Sequence, residues 1–195
     1  MNLSDTNVLV ISGPSGSGKG TLINKCLLEN ENIEIAISAT TRPPRNSEVN
    51  GRDYYFLSNE EFDIHVKNDN FVEYCNVHTA RYGTLKQELF RINQSNKIVM
   101  LEIDTMGVQK IKPILKNATY VFIAAPDLNE LENRLILRKT ETKSQIKTRL
   151  NTAREELKRI ELYDYVIING IIEDAYFELS KIIKNSYISR GKHNE

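Results

Sequence analysis

Apolar residues along this chain occur in two patterns: short unbroken runs, and intervening stretches where they recur every three or four positions. The runs are residues 8–12, 97–104, 120–124 and 165–169. Each is brief and bounded by polar or turn residues, which predicts strands buried on both faces of a sheet. Residues 33–38, rich in β-branched side chains, predict one more. The three-to-four spacing predicts helices over about 19–30, with Leu22, Ile23, Cys26 and Leu27 toward the sheet, and over about 107–115, where Pro113 kinks or shortens the helix. Further helices are expected from Asp127 to about 138, over about 144–163, and from Glu173 to about 185. Buried strands alternating with helices predict an α/β fold, a parallel sheet flanked by helices.

Residues 38–94 break this rhythm. Pro43 and Pro44 forbid regular helix, and Asn50-Gly51 is a hairpin-type turn signal. Ser58-x-x-Glu61 is a capping box opening a helix to about Asn68. Residues 71–76 read as a strand, and Thr84-x-x-Gln87 as the start of a helix with Leu85, Leu89 and Ile92 on one face. The interval is therefore expected to be an inserted α+β subdomain, leaving 1–37, 95–133 and 164–195 as the core. Residues 134–163, around the polar break 139–143, form a lid and its following helix.

The first strand runs straight into ISGPSGSGKGT. Gly13-x-x-x-x-Gly18-Lys19 is the spacing of a phosphate-binding loop between a strand and a helix. Its glycines allow the main chain to approach a ligand, and backbone N–H groups converge on phosphate at the helix N-terminus. Lys19 would bring a cation to the terminal phosphates. Gly20 stands where a hydroxyl residue usually follows the lysine, and the hydroxyl comes one place later, at Thr21. The spacing predicts a bound nucleoside triphosphate, held over Gly13, Pro14, Ser15, Gly16, Ser17, Gly18, Lys19, Gly20 and Thr21.

Composition narrows the partners. Among 195 residues, 26 Lys and Arg balance 26 Asp and Glu, and zero formal charge argues against a general nucleic-acid or membrane partner. Cys26 and Cys75 stand far apart without metal-ligand spacing, which fits a reduced, cytoplasmic protein. His65, His78 and His193 do not cluster and read as surface or packing residues. The polar start MNLSDTN lacks the regions of a signal peptide, no apolar run approaches a membrane span, and the end 189–195 is polar and frayed.

Other positions carry chemistry, some of them with two readings. Arg42 and Arg45 flank a stiff Pro-Pro pair, either as a bidentate clamp for an oxyanion or as a solvated basic loop. Glu73, among Phe71, Val72 and Tyr74, either faces solvent or reads a ligand. Glu102 and Asp104 end a predicted parallel strand, where α/β sheets bind ligands and where a strand-end acid partners the water shell of Mg²⁺. Arg134, Arg138 and Arg149 bracket the polar break, either as solvated helix charges or as cations that close over phosphates.

From about Val8 to Lys184 the sequence resembles the guanylate kinases. The resemblance rests on GPSGSGKGT, on SATTRPPR followed by EVNGRDYYF, and on FVEY, YGT and LEID. The run RLxxR, with TE and IxxRL behind it, belongs to it too. It implies transfer of the γ-phosphate of ATP to GMP and dGMP, by Mg²⁺-assisted in-line attack without a covalent intermediate, as a step of purine nucleotide metabolism. By the same resemblance Arg42, Arg45, Tyr54 and Tyr82 hold the GMP phosphate, and Ser38, Glu73, Thr84 and Asp104 contact guanine. Lys19, Arg138, Arg149 and Arg134 neutralise the transferred group. Thr21 is expected to meet the metal directly and Glu102 through water. The partners implied are the two nucleotides, in a monomer or homodimer.

Three rivals are weighed against that reading. Guanylate-kinase-like domains also serve as interaction scaffolds, but those usually have degraded phosphate loops, and Lys19 is present here. A kinase for another nucleoside monophosphate conflicts with the guanine-side residues. A GTPase switch needs an Asp after its Asn-Lys pair, whereas Asn24-Lys25 is followed by Cys26-Leu27. Departures from the family pattern are Met106 in place of a usual Gln, Lys139 in place of a common Gly, Glu102 in place of a frequent Asp, and Gly170 in place of an acid after Asn169.

Overall fold

The computed structural model describes residue 3 and residues 6–77, 79–138 and 141–191, with side chains described to residue 186. His78, Lys139 and His193 lie outside these residues, as does Thr140. The described chain begins with β1 (Val8–Ser12), α1 (Lys19–Glu29), β2 (Ile33–Ile35), β3 (Ser38–Thr40) and β4 (Tyr55–Phe56). It continues through α2 (Asn59–Lys67), β5 (Phe71–Val77), β6 (Ala80–Leu85), α3 (Lys86–Gln94) and β7 (Ile98–Glu102). Then come α4 (Thr105–Ile111), β8 (Thr119–Ala124), α5 (Leu128–Leu137) and α6 (Lys143–Leu157). A 3-10 turn (Ile160–Leu162), β9 (Tyr165–Ile168) and α7 (Ile172–Gly191) complete it.

One sheet has the strand order β2-β7-β1-β8-β9, parallel in the pairs β2·β7, β1·β8 and β8·β9. This is the α/β architecture that the alternating pattern predicts. A second, four-stranded sheet has the order β4-β3-β6-β5, antiparallel in β3·β6 and β5·β6 and parallel in β3·β4. The chain divides into two compact units: Met1–Val8, Asn32–Glu102 and Met106–Ala118 in the first, and Leu9–Glu31, Ile103–Thr105 and Thr119–Glu195 in the second.

In the first unit, Ala39, Phe62, Phe71 and Leu85 form a buried cluster under Tyr55, Leu57 and Val66. The Phe62 and Phe71 rings stack with centroids 4.5 Å apart. The strand expected over 33–38 is in fact two pieces in two sheets. Ala36 still donates to the Met100 carbonyl at 2.9 Å, but the Ile37 amide turns to the buried Glu88 carboxylate at 3.0 Å, and Ser38 opens β3 opposite Thr84. Glu88 thus satisfies the amide where the chain changes sheets, a group that would otherwise be left without a ladder partner. The helix expected to start at Thr84 starts at Lys86 instead, with Leu85 at its N-cap and no side-chain cap. Ser58 does cap α2, and Glu61 returns the bond. Helix α4 stops at Ile111, two residues before Pro113. His65 packs with its Nδ1 3.1 Å from Asn70 Nδ2.

In the second unit, Leu131 and Leu135 of α5 meet Ile146, Leu150 and Ala153 of α6 in a buried cluster. Asp127 caps α5, and Thr142 with Gln145 forms a capping box on α6. The long charged stretch after it is not one helix: α6 ends at Leu157 and a 3-10 turn follows. Strand β9 is an edge strand with Ile167 alone of its four residues buried, rather than the buried run its composition suggests.

Both cysteines are buried and neither is in a disulfide; burial pushes the Cys26 thiol up to about 11. Among the described residues no helix is long and apolar enough to cross a membrane.

Candidate active site

Most of the expected site residues stand on the second unit, many of them around the turn from β1 into α1. Strand β1 is buried along its whole length, so the loop after it starts from a rigid base. Gly13 has φ 135°, and a Cβ there would lie 2.1 Å from the Ile123 carbonyl oxygen. Gly18, at the N-cap of α1, has φ 88°, and a Cβ there would lie 2.3 Å from Asn169 Nδ2. Neither position has room for a side chain, and both backbones favour glycine.

Lys19 folds its ammonium across this loop, donating to the carbonyls of Gly13 at 2.5 Å and Pro14 at 3.0 Å. From α6, Arg149 Nη1 donates to Ser15 Oγ at 2.6 Å while its Nε pairs with Glu141 at 2.8 Å. From α5, Arg134 pairs with Glu130 at 2.7 Å and reaches the Ser17 carbonyl at 3.4 Å. Arg138 is exposed at the C-cap of α5. Two of the three arginines thus reach the loop and one does not. Gly16 and Ser17 are buried, whereas Gly20 and Thr21 are exposed on the first turn of α1. A Cβ on Gly20 would meet nothing within 4 Å, so space does not require glycine there.

Two residues of this unit were passed over in the sequence. Asn169, just past β9 and 4 % exposed, donates to the Ser17 carbonyl at 2.8 Å and fastens the loop. Its signal was available: a polar residue at the carboxyl end of a parallel strand, as with Asp104. Glu156 is buried on the apolar stripe of α6 with Ile146, Leu150 and Ala153. Burial pushes its carboxyl above the ordinary value; Lys19 opposes that rise, Asp104 adds to it and Arg159 opposes it. Asp104 itself is half-buried in this unit.

The others stand on the first unit. Ser38 of β3 and Glu73 of β5 both sit opposite Thr84 of β6. Along β5, Phe71 opposes Leu85 and Glu73 opposes Thr84, a bulge that uses two steps of β5 against one of β6. Since neighbours on β6 point to opposite faces, the bulge parts Glu73 from the Phe71 face. It places Glu73 with Ser38, Thr84 and Tyr82. Thr84 Oγ1 donates to Glu73 Oε1 at 2.8 Å, with both residues buried, so Glu73 does not face solvent.

Arg42 lies beside this face. Its Cζ is 4.9 Å from the Tyr54 ring centroid and 5.6 Å from that of Phe56, and the Tyr54 and Tyr82 rings meet edge-on at 6.0 Å. Its terminal nitrogens donate to the two oxygens of Glu48 at 2.6 and 2.7 Å. Glu48 raises the Arg42 guanidinium, against burial and with help from Tyr82. Arg42 in turn holds Glu48 down to about 2, the Arg45 amide assisting. Burial pushes the Tyr54 hydroxyl up. The side chain of Arg45 and the carboxylate of Glu102, at the end of β7, are exposed.

Met106 is 46 % exposed on α4. Gly170 follows β9, where a Cβ would touch Pro126 at an ordinary 3.4 Å. Among the described residues no group of three or more His, Cys, Asp or Glu is arranged to hold a metal ion. Thr21 and Glu102 offer hard oxygen donors, the type that suits Mg²⁺, an ion that keeps several waters and takes other ligands from phosphates.

The guanylate kinase family model matches residues 5–186. Guanylate kinase of Clostridioides difficile (strain 630) is 39 % identical over 188 residues, 95 % of this chain and 92 % of that protein. Guanylate kinase of Polaromonas sp. (strain JS666 / ATCC BAA-500) is 42 % identical over 177 residues, covering 91 % and 86 %. Among solved structures, guanylate kinase from Anaplasma phagocytophilum superposes with a TM-score of 0.75 at 32 % identity, covering 93 % of this chain and 86 % of that one.

Proposed function

The chain belongs to the guanylate kinase family, and from that premise we propose how its residues divide the work of an ATP:GMP phosphotransferase. The observation that carries the acceptor assignment is the buried Glu73–Thr84 pair on the face shared with Ser38 and Tyr82. Guanine presents N1–H and an N2 amine side by side, and an ionised carboxylate presents two adjacent acceptors. Adenine presents an unprotonated N1 there and would leave a buried charge unpaired. Glu73, Thr84, Ser38 and Asp104 read the base, while Arg42, Arg45, Tyr54 and Tyr82 hold its phosphate.

On the donor side the loop amides from Gly13 to Thr21 cradle the ATP phosphates. Lys19, Arg134, Arg138 and Arg149 offset the charge of the phosphoryl group as it is transferred. Such a reaction asks the protein for alignment and electrostatics more than for covalent chemistry. The acceptor phosphate attacks in line, and no covalent intermediate forms on the protein. Residues 134–163 act as the lid, excluding the water that would otherwise hydrolyse ATP.

Thr21 is the residue to bind Mg²⁺ directly, and Glu102 the one to meet its water shell. The ion, when bound, neutralises charge on the donor phosphates. The activity belongs to purine nucleotide metabolism in the cytoplasm, with dGMP as a second acceptor. A coupled assay of ADP release across GMP, dGMP, AMP, CMP and UMP tests the reading. Turnover with GMP and dGMP far above the other acceptors is expected, and equal use of AMP would overturn it.

A further inference from the structure

Glu48 has no part in the reading above, yet it is the most heavily engaged carboxylate of the turn that carries Arg42 and Arg45. Pro43 and Pro44 lack amide hydrogens, so the turn has few main-chain donors with which to hold itself. Glu48 supplies what is missing. Its Oε2 accepts from the Arg45 amide at 2.8 Å, and its own amide donates to the Arg45 carbonyl at 3.0 Å. The same carboxylate takes both terminal nitrogens of Arg42, and Arg42 Nη1 also donates to the Pro43 carbonyl at 3.0 Å. The paired side chains are 16 % and 15 % exposed.

A guanidinium has two forks: the two terminal nitrogens, and Nε with one terminal nitrogen. Glu48 occupies the first. Nε and the second hydrogen of Nη2 lie outside the ion pair, and the Cζ stands 4.9 Å from the Tyr54 ring centroid and 5.6 Å from that of Phe56, with the Tyr82 and Tyr54 hydroxyls also acting on the group. Glu48 thus braces one edge of the planar group and leaves the other outside the ion pair.

We infer that Glu48 is a positioning residue of the acceptor site: it grips the terminal fork of Arg42 and the Arg45 amide, so that the side fork of Arg42 is aimed at the phosphate of GMP. This rests on the acceptor reading proposed above. The competing idea is that Glu48 is a stand-in for phosphate, which the nucleotide must displace. The geometry favours the brace, because Glu48 is bonded into the turn by its own amide and by that of Arg45, and evicting it would break the turn along with the ion pair. The carboxylate also stays ionised across any practical assay range, since Arg42 and the Arg45 amide hold it near 2.

The two ideas predict opposite signs. If Glu48 is a brace, Glu48→Gln raises the KM for GMP roughly 10- to 100-fold, the range expected for losing a charge-assisted fork, and leaves the KM for ATP within about twofold. Equilibrium binding of GMP weakens to match, while binding of guanosine, which has no phosphate, barely changes. In an Arg42→Ala background the same substitution costs less than in wild type, because the fork it aims is gone and only its hold on the Arg45 amide remains. A residue that only stabilised the fold would weaken both substrates and would keep its cost in that background. Thermal melting identifies a misfolded variant, and Glu48→Asp, which keeps the charge but shortens the reach, then carries the same comparison. An unchanged or lower KM for GMP overturns the inference. Wild type serves as the separate control: if it fails to phosphorylate GMP, the proposed function falls, whereas a working wild type with an indifferent Glu48→Gln removes the brace alone.

Discussion

The ammonium of Lys19 is held by two main-chain carbonyls of its own loop. Carbonyl oxygens carry partial charges, whereas the ATP phosphates carry full ones and charge builds on the bridging oxygen as the bond breaks, so the lysine gains most at the transition state. Lys19→Ala is expected to give a folded protein whose kcat falls more than its KM for GMP rises. Near-normal kcat would reduce the lysine to a clip that closes the loop. Glu73 invites a matching test. Glu73→Gln keeps the shape but turns one acceptor into a donor, and kcat/KM for GMP should fall roughly 10- to 150-fold. The loss for AMP should be smaller, so the ratio between the two acceptors narrows. An unchanged ratio would return Glu73 to a structural partner of Thr84.

Among the elements, α6 is the one that delivers Arg149, and it begins on a reciprocal Thr142–Gln145 cap. Thr142→Ala should cost about 1 kcal/mol, lowering Tm by roughly 2–4 °C for a chain of this size. A melting curve unmoved by the change would mean the helix start is held by its contacts with α5 instead. How much of this was legible in the sequence varied with how local the cause was. The caps at Ser58 and Asp127 and the glycine loop were readable because a few neighbouring residues decide them. The break at Ile35 was not, because β-branched residues run on through it and the group that turns the chain, Glu88, is far away in sequence. Thr84-x-x-Gln87 looked like a cap, but that hydroxyl is committed to Glu73 on another strand. The bulge at Glu73 was invisible for the same reason: strict alternation puts residues 71 and 73 on one face, and pairing with β6 alone parts them. Glu48 was overlooked because an acid in a polar loop carries no periodicity to stand out against.

Across the whole molecule, several carboxylates titrate below their ordinary value. Glu48 is held near 2 by Arg42, and Glu34 is lowered by Arg91. Asp53 is lowered by the Val49 amide, and Glu88, against its own burial, by Arg91, the Ile37 amide and Tyr55. A carboxylate lowered on folding contributes stability that is present above its unfolded value and lost as pH falls toward the folded one. Tm should therefore decline from about pH 4.5 downward and go on falling toward pH 2, and a Tm unchanged between about pH 6 and pH 3 would refute this linkage. Glu156 has the opposite sign, so removing its charge should raise Tm more at neutral pH than in acid. The buried thiols have a practical consequence of another kind. With Cys26 and Cys75 both shielded, the native protein offers a thiol-directed dye almost no background. Leu137, 75 % exposed beside Arg138, is then a ready address: in Leu137→Cys a fluorophore would sit alone, and the arrival of ATP could be watched as a change in its brightness.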